Sequence, residues 1–453
     1  MTATRDRCPA SQGTVNRPRL FLDCSMTSQS TQRTGVQRVV RNVVACAPAI
    51  ARSVGMESRT VVFRDGRWRD DPQALHLARK VQEGRCAAGT ASGPRRCIRS
   101  WVQTCGQRLS RSLYPRTLAR LLRRLAIHFS DCGEAGPDFR PGDVLLLLDG
   151  SWTLPEIPSC AAARRAGARV GLVVYDLLPL THPQFMVPKA RRRFARWMRR
   201  VVPQADFFVA ISRTVRDTFR VWVRKEFPER RISPQRVSWF PMGVKLDLAA
   251  HEKSVRPELA AVFGDAEKTY VKVGTLEPRK NHPLVLDAFD IVWQEFPGAR
   301  LCFLGRRGWM CDDLVRRIER HPRRGKQLYW FGDADDGELD YCLRRAHAAV
   351  FASLAEGYGL PVAEALQYGL PAFVSDIPIH REVGGAFCSW FDPQRPESLA
   401  RLIIAHLRTG TVPCVRAPAE FAPATWDEAT RVLVEECRRW ASLGETGELS
   451  WVA

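Results

Sequence analysis

The chain has 453 residues, 45% hydrophobic and 26% charged, and its 69 Lys and Arg against 48 Asp and Glu give a net charge of +21. That length exceeds one ordinary core and suits two α/β domains with additions. No apolar run approaches the 18 residues of a membrane helix, and residues 1–19 lack the apolar segment of a signal peptide, so neither is expected. The 14 cysteines fall without Cys-x-x-Cys pairs or nearby histidines, so they read as mostly reduced, buried thiols of a cytoplasmic protein.

Residues 1–18 are polar and expected to be disordered. Residues 19–23 read as a first strand. Polar residues then lead to Thr34-Gly35-Val36-Gln37-Arg38. Thr34 can cap a helix there, because Val36, Val39, Val40, Val43 and Val44 recur at helical spacing. Strand, glycine turn and helix open a Rossmann-like domain, although no G-x-G-x-x-G is present. Residues 60–63 read as a second strand. Residues 65–140 are rich in Gly, Arg and Cys with a weak apolar pattern; they read as an insertion, with a basic amphipathic helix at 113–129. Buried-strand patterns follow at 143–149 and 170–176, with a helix near 160–166 between them. The second of these strands runs into Asp176-Leu177-Leu178-Pro179 and on to His182-Pro183. Ligands of open α/β sheets bind at the carboxyl ends of strands, which makes Asp176 and His182 cleft candidates; the plainer reading is a turn fixed by two prolines. A strand at 207–212 ends on Ser212, which can cap a helix at 214–222. A strand at 237–240 leads through Pro241-Met242-Gly243-Val244 to a polar linker reaching about residue 268.

The rest alternates cleanly. Strands are expected at 270–273, 300–304, 328–331, 348–351 and 371–374, with helices near 282–296, 312–320, 336–346 and 361–368. This pattern predicts a parallel sheet with right-handed crossovers. A last helix is expected at 426–440. Two segments lie just past strand ends. In Gly274-Thr275-Leu276-Glu277-Pro278-Arg279-Lys280-Asn281, two adjacent cations before a helix suit a diphosphate. In Glu356-Gly357-Tyr358-Gly359-Leu360-Pro361-Val362-Ala363-Glu364, Pro361 suits a first helical turn and the later Gly369 a left-handed helix end. Gly357 and Gly359 let backbone amides approach an anion at the helix start. Glu356 lies before that helix and Glu364 one turn inside it, where carboxylates suit sugar or ribose hydroxyls. Asp333-Ala334-Asp335 has the spacing of an Asp-x-Asp metal motif, but it opens a helix, where Asp is a common cap.

These two segments together resemble the retaining nucleotide-sugar glycosyltransferases of family 4, which have the GT-B fold, two Rossmann-like α/β domains facing each other across a cleft. The resemblance covers about 270–395, with Arg381-Glu382-Val383-Gly384 and Phe391-Asp392-Pro393 continuing it, and is patchy before. Arg33-Thr34-Gly35-Val36-Gln37-Arg38 is similar to the opening of a subgroup from surface-polysaccharide assembly. The resemblance implies transfer of a hexose, with retention, from a nucleotide-sugar donor (GDP-mannose or similar) to a saccharide or lipid-linked saccharide acceptor, with no metal and no cofactor. It implies Glu356 at the donor sugar and Glu364 at the ribose. Lys280 and Arg279 would face the diphosphate with Gly357, Tyr358, Gly359 and Leu360, and Gly274 and Thr275 would lie beside it. Gly35, Asp176 and His182 fall on the acceptor side. Many relatives carry an arginine where Thr275 stands, which puts more of the diphosphate charge on Lys280 and Arg279. The implied domains are 19–245 for the acceptor, with the basic insertion at about 65–140, 246–425 for the donor, and 426–453 as a helix crossing back.

A sugar-nucleotide epimerase of the same fold is the alternative enzyme. Nucleic-acid binding would rest on charge alone, since neither an aromatic-basic RNA motif nor a DNA-binding motif is present, and it is not expected. The second basic cluster, from Lys189 to Arg200, interleaves Phe194 and Trp197. It reads either as a solvated helix face or as a contact with an anionic membrane, where each basic residue contributes about 1 kcal/mol. A cytoplasmic protein, peripheral on the inner face of the cell membrane, is the corresponding expectation.

Overall fold

The computed structural model describes residues 17–30, 35–72, 136–154, 156–230, 232–244, 255–264 and 268–443. The helix expected at 113–129 and the cap expected at Thr34 lie outside them.

The first sheet is built from β1 (Arg19–Asp23), α1 (Gly35–Ser53), β2 (Glu57–Arg64), β3 (Arg67–Asp70), β4 (Val144–Leu147), α2 (Ala161–Arg165), β5 (Arg169–Val174), α3 (Leu178–Thr181), α4 (Pro188–Val201), β6 (Phe207–Ala210), α5 (Arg213–Glu226) and β7 (Val237–Trp239). Its strand order is β3-β2-β1-β4-β5-β6-β7, parallel throughout except for the β2–β3 pair. β1, β4 and β6 are buried along their whole length, as continuous apolar runs covered on both faces must be. β2 contains the strand expected at 60–63, while β3 and the buried stripe of α4 escape the sequence pattern. In α4, Phe194, Trp197, Met198 and Val201 form the buried stripe, and the arginines that outnumber them mask it.

The second sheet follows α6 (Pro257–Ala260). It comprises β8 (Thr269–Val273), α7 (His282–Glu295), β9 (Arg300–Leu304), α8 (Asp312–Glu319), β10 (Leu328–Phe331), α9 (Asp336–Arg345), β11 (Ala348–Phe351), α10 (Leu360–Gln367), β12 (Ala372–Ser375), α11 (Pro378–Gly384), β13 (Ser389–Phe391) and α12 (Pro396–Thr409). Its order, β10-β9-β8-β11-β12-β13, is all parallel. The direction of winding reverses between β1 and β4 in one sheet and between β8 and β11 in the other, the crevices where such folds bind ligands. Asp335 caps α9 in a capping box with Glu338, and Asp333 pairs with Arg256, so the Asp-x-Asp spacing serves a helix start.

The chain crosses between the domains twice, side by side. Val244 N donates to Ala424 O (3.1 Å). A Cβ on Gly243 would lie 2.5 Å from the Trp426 ring, so only glycine lets the strands of the crossing close up. α13 (Trp426–Ser442) then packs into the first core through Trp426, Leu433, Val434 and Trp440. Trp440 stacks on Phe207 of β6, with centroids 5.1 Å apart. Trp440→Ala is expected to cost about 3–5 kcal/mol. Denaturant unfolding checks the size of the loss, and hydrogen exchange should show it in β6 and α1 rather than in the second sheet.

Candidate active site

β8 ends at Val273, and the next residue, Gly274, sits at φ +141° with the Lys280 side chain folded beneath it: a Cβ there would be 3.5 Å from Lys280 Cε. Pro278–Lys280 form a single 3-10 turn. Asn281 ends it in the left-handed region (φ 53°), which Asn tolerates better than most residues, and ties its amide to Pro393 O at 2.9 Å. This turn aims two consecutive cations at one carboxylate. Lys280 Nζ lies 2.5 Å from Glu356 Oε1, and Arg279 Nη1 lies 2.5 Å from Glu356 Oε2. Ser353 Oγ donates to Glu356 Oε1 at 2.8 Å, and Leu354 N donates to Arg279 O at 2.8 Å, locking the two loops together.

The Glu356 side chain is only 8% exposed. Burial alone would raise its carboxyl pKa, but Arg279 and Lys280 overcome that and hold it well below the usual carboxylate range. Arg279 is itself bracketed: Nε reaches Glu277 Oε1 at 2.7 Å, and Nη1 also donates to Ala355 O at 3.1 Å. Most of its donors are thus committed to shaping the loop, and Lys280 is the more available cation.

Past Glu356 the chain turns through Gly359 (φ +97°) into α10, with Pro361 in the first turn and Gly369 left-handed (φ +68°) beyond its end. Gly357 serves a close approach between the domains. A Cβ there would sit 2.8 Å from Tyr175 O and 3.1 Å from Asp176 Cβ. The Tyr358 and Leu360 side chains pack against the first core, so what they leave at the helix start is backbone amide without intrahelical partners. Asp176, at the end of β5, accepts from Leu178 N at 3.0 Å. Its carboxyl is raised by burial and by Glu356, against the pull of Leu178 N and Arg279. Arg279 and Asp176 line a cavity of about 170 Å³ together with Asp149, Trp152 and Trp309. Gly35 begins α1 facing α10, with a Cβ there 4.0 Å from Leu360 Cδ1. Thr275 lies against the loop at Gly308.

Two candidates have neighbours to which the sequence does not point. The His182 contacts described are local, to Thr181 Oγ1 at 2.9 Å and a stack on Phe185. Glu364, 2% exposed, has Arg38 of α1 as its partner across the cleft, at 2.5 Å; the approach is that of an ion pair without an aligned hydrogen bond.

Other residues of the site carry little sequence signal. Lys272 of β8 is 1% exposed, in a run that otherwise reads as an ordinary buried strand. Burial first, then Lys280 and Arg279, push its ammonium down to about 7, with Glu356 opposing. His380 of α11 reaches under Gly359, where a Cβ would be 3.5 Å from Nε2, and its Nδ1 is 3.0 Å from Ser375 Oγ. Burial pushes His380 down to about 4, so it is neutral near pH 7. Glu382 of α11 caps the N-terminus of α5 in the other domain, accepting from Arg213 N, Thr214 N and Thr214 Oγ1 at 2.7, 2.8 and 2.6 Å. Trp309 Nε1 donates to Phe185 O at 2.8 Å, a second clasp across the cleft.

Two parallel-sheet α/β domains closed on a shared site define the GT-B architecture, and comparison with solved structures agrees. The chain aligns with the crystal structure of Anabaena Alr3699/HepE in complex with UDP-glucose at TM-score 0.52 and 12% identity, over 93% of this chain and 98% of that one. Residues 260–413 match the family model of glycosyl transferases group 1. The chain therefore has the GT-B fold, and its residues 260–413 are similar to the group 1 glycosyl transferases. It is similar to the serotype-specific mannosyltransferase WbdA of Escherichia coli, 32% identical over 288 residues, which cover 62% of this chain and 35% of that protein. It is also similar to the O-antigen chain mannosyltransferase B of Escherichia coli, 30% identical over 165 residues, 35% of this chain and 42% of that protein. These matches span between a third and a half of the relatives' length.

Lys272 generates a prediction with a definite sign. Its folded pKa lies below its unfolded value of 10.5, so its contribution to stability is most favourable above that value and is lost as pH falls through about 7. Lys272→Met should raise the melting temperature most at or below pH 7, with the gain fading toward pH 10.5. The same variant should bind inorganic pyrophosphate more weakly, which calorimetry checks.

Proposed function

We propose that the protein is a retaining, metal-independent glycosyltransferase moving a mannosyl unit from a nucleoside diphosphate sugar, GDP-mannose or a close analogue, to a saccharide or lipid-linked saccharide acceptor in surface-polysaccharide assembly. The observation that carries this reading is Glu356 held by Lys280 and Arg279 beside the first amides of α10, opposite Asp176. The mannosyl donor and polysaccharide context are supported by the relatives named as mannosyltransferases.

Breaking the bond between the anomeric carbon and phosphate oxygen leaves a third negative charge on the diphosphate, the second on its terminal phosphate. The α10 amides are fixed and stabilise that charge as it develops, Lys280 joins them, and Lys272 of β8 adds to this in its protonated fraction. Lys280 then exchanges part of its contact with Glu356 for phosphate oxygen. Glu356, released on that side and steadied by Arg279, accepts donor-sugar hydroxyls and faces the positive charge growing on the ring. The departing phosphate oxygen takes the proton of the acceptor hydroxyl as that hydroxyl bonds to the anomeric carbon from the same face, so configuration is kept and no separate base is needed. Asp176 lies on the acceptor side of this arrangement.

No helix among the described residues is long and apolar enough to cross a membrane. A lipid-linked acceptor brings the enzyme to the inner membrane face, and α4, with Phe194 and Trp197 turned inward and its arginines outward, suits an anionic surface.

Glu356→Ala and Lys280→Ala are each expected to lower transfer at least 100-fold, about 3 kcal/mol of transition-state stabilisation, with the fold retained by circular dichroism. Transfer from GDP-mannose at near-normal rate in either variant overturns the assignment. Product analysis without acceptor separates transfer from epimerisation.

A further inference from the structure

The Gly35-Val36-Gln37-Arg38 segment has no role in the mechanism above, yet it lies at the cleft. The first turns of α1 and α10 abut, Gly35 against Leu360, so two helix N-termini belonging to different domains converge where the diphosphate would lie. Arg38 and Glu364 stand about one turn inside their helices and meet at 2.5 Å. Glu364 has a side-chain exposure of 3%, and among the described residues Arg38 makes its only ion pair. A carboxylate that deep is strongly disfavoured without a counter-charge, and removing one partner of such a pair leaves the other stranded. Glu364 is four residues past Leu360, about 6 Å of helix rise, the offset at which a ribose follows a diphosphate seated on the α10 amides. Ribose presents two vicinal hydroxyls, which a charged carboxylate accepts as a pair.

We infer that Arg38 is a positioning residue for nucleotide binding: from the opposite domain it holds the Glu364 side chain aimed at the ribose hydroxyls, so that the nucleotide site is complete only when the two domains are closed. This inference rests on the proposed donor site and adds to it a residue of the first domain. Its planar fork, which meets a carboxylate at a defined angle, is why arginine rather than lysine suits the position.

Calorimetry with GDP, UDP and inorganic pyrophosphate on wild type, Arg38→Ala, Arg38→Lys, Glu364→Gln and the double variant tests it. Wild type should bind at least one of the two nucleotides. Arg38→Ala should raise that Kd at least 10-fold while leaving pyrophosphate, which has no ribose, within about 2-fold. Arg38→Lys should recover part of the loss, and Arg38→Ala with Glu364→Gln should be no worse than the weaker single variant, because the two act as one unit. An unchanged nucleotide Kd in Arg38→Ala overturns the inference while leaving the donor site standing, as does an equal loss for pyrophosphate or additive effects. A lowered melting temperature with unchanged Kd identifies Arg38 as a structural strut and also overturns it. Wild type that binds neither nucleotide removes the donor site and this inference together.

Discussion

The ion cluster around Glu356 is the constraint on which the rest of the site depends. A carboxylate only 8% exposed is tolerable because two cations and a serine hydroxyl surround it, and those cations are tolerable because the carboxylate is there. Neither loop satisfies its charges alone. The turn at Pro278–Lys280 and the loop after β11 therefore have to lie side by side, which adjacent parallel strands β8 and β11 guarantee. Lys272, pushed by burial down to about 7, adds partial positive charge from within β8 itself. Glu356 and Glu277 together nearly balance these cations, so an anionic ligand enters by drawing away Lys280, the least committed of them.

The second constraint is contact between the domains. Gly357 admits the end of β5, Tyr358 and Leu360 bury their side chains against the first core, and Glu382 caps a helix in the other domain. The loop proposed to carry the donor chemistry is thus also the loop on which the domains close. Placing both tasks on one segment ties the orientation of the α10 amides to the position of the first domain. α13 provides the lasting connection by filling the first core from the far end of the chain.

Much of this was legible in the sequence where periodicity and local chemistry act alone. The strands of the second sheet were readable because continuous apolar runs between helical patterns have one good interpretation, a doubly covered parallel sheet. The Ser212 cap, the Pro361 start and the Gly369 stop follow from backbone hydrogen bonding within a few residues. α4 was hidden because its arginines outnumber its apolar stripe, and β3 because a short antiparallel edge strand needs only one buried residue, Trp68. Within the candidate site, Glu356, Lys280 and Arg279, which the structure brings together, were visible because residue type and position at a strand end suit an anion.

By itself the sequence determined the order of most elements, the two glycine-bearing loops and the residue types suited to a diphosphate, since these depend on local backbone geometry and on charge. Only the tertiary structure decided which groups share a partner. Arg279 is largely committed to Glu277, Glu356 and Ala355 O, Glu364 answers to Arg38, His182 turns to its neighbours, and Lys272 and His380 enter from strand and helix positions without a motif. The reason is physical: a buried charge is set by whatever counter-charge lies within a few ångströms, and residues up to several hundred positions apart come within that range only after both sheets have formed and closed on each other.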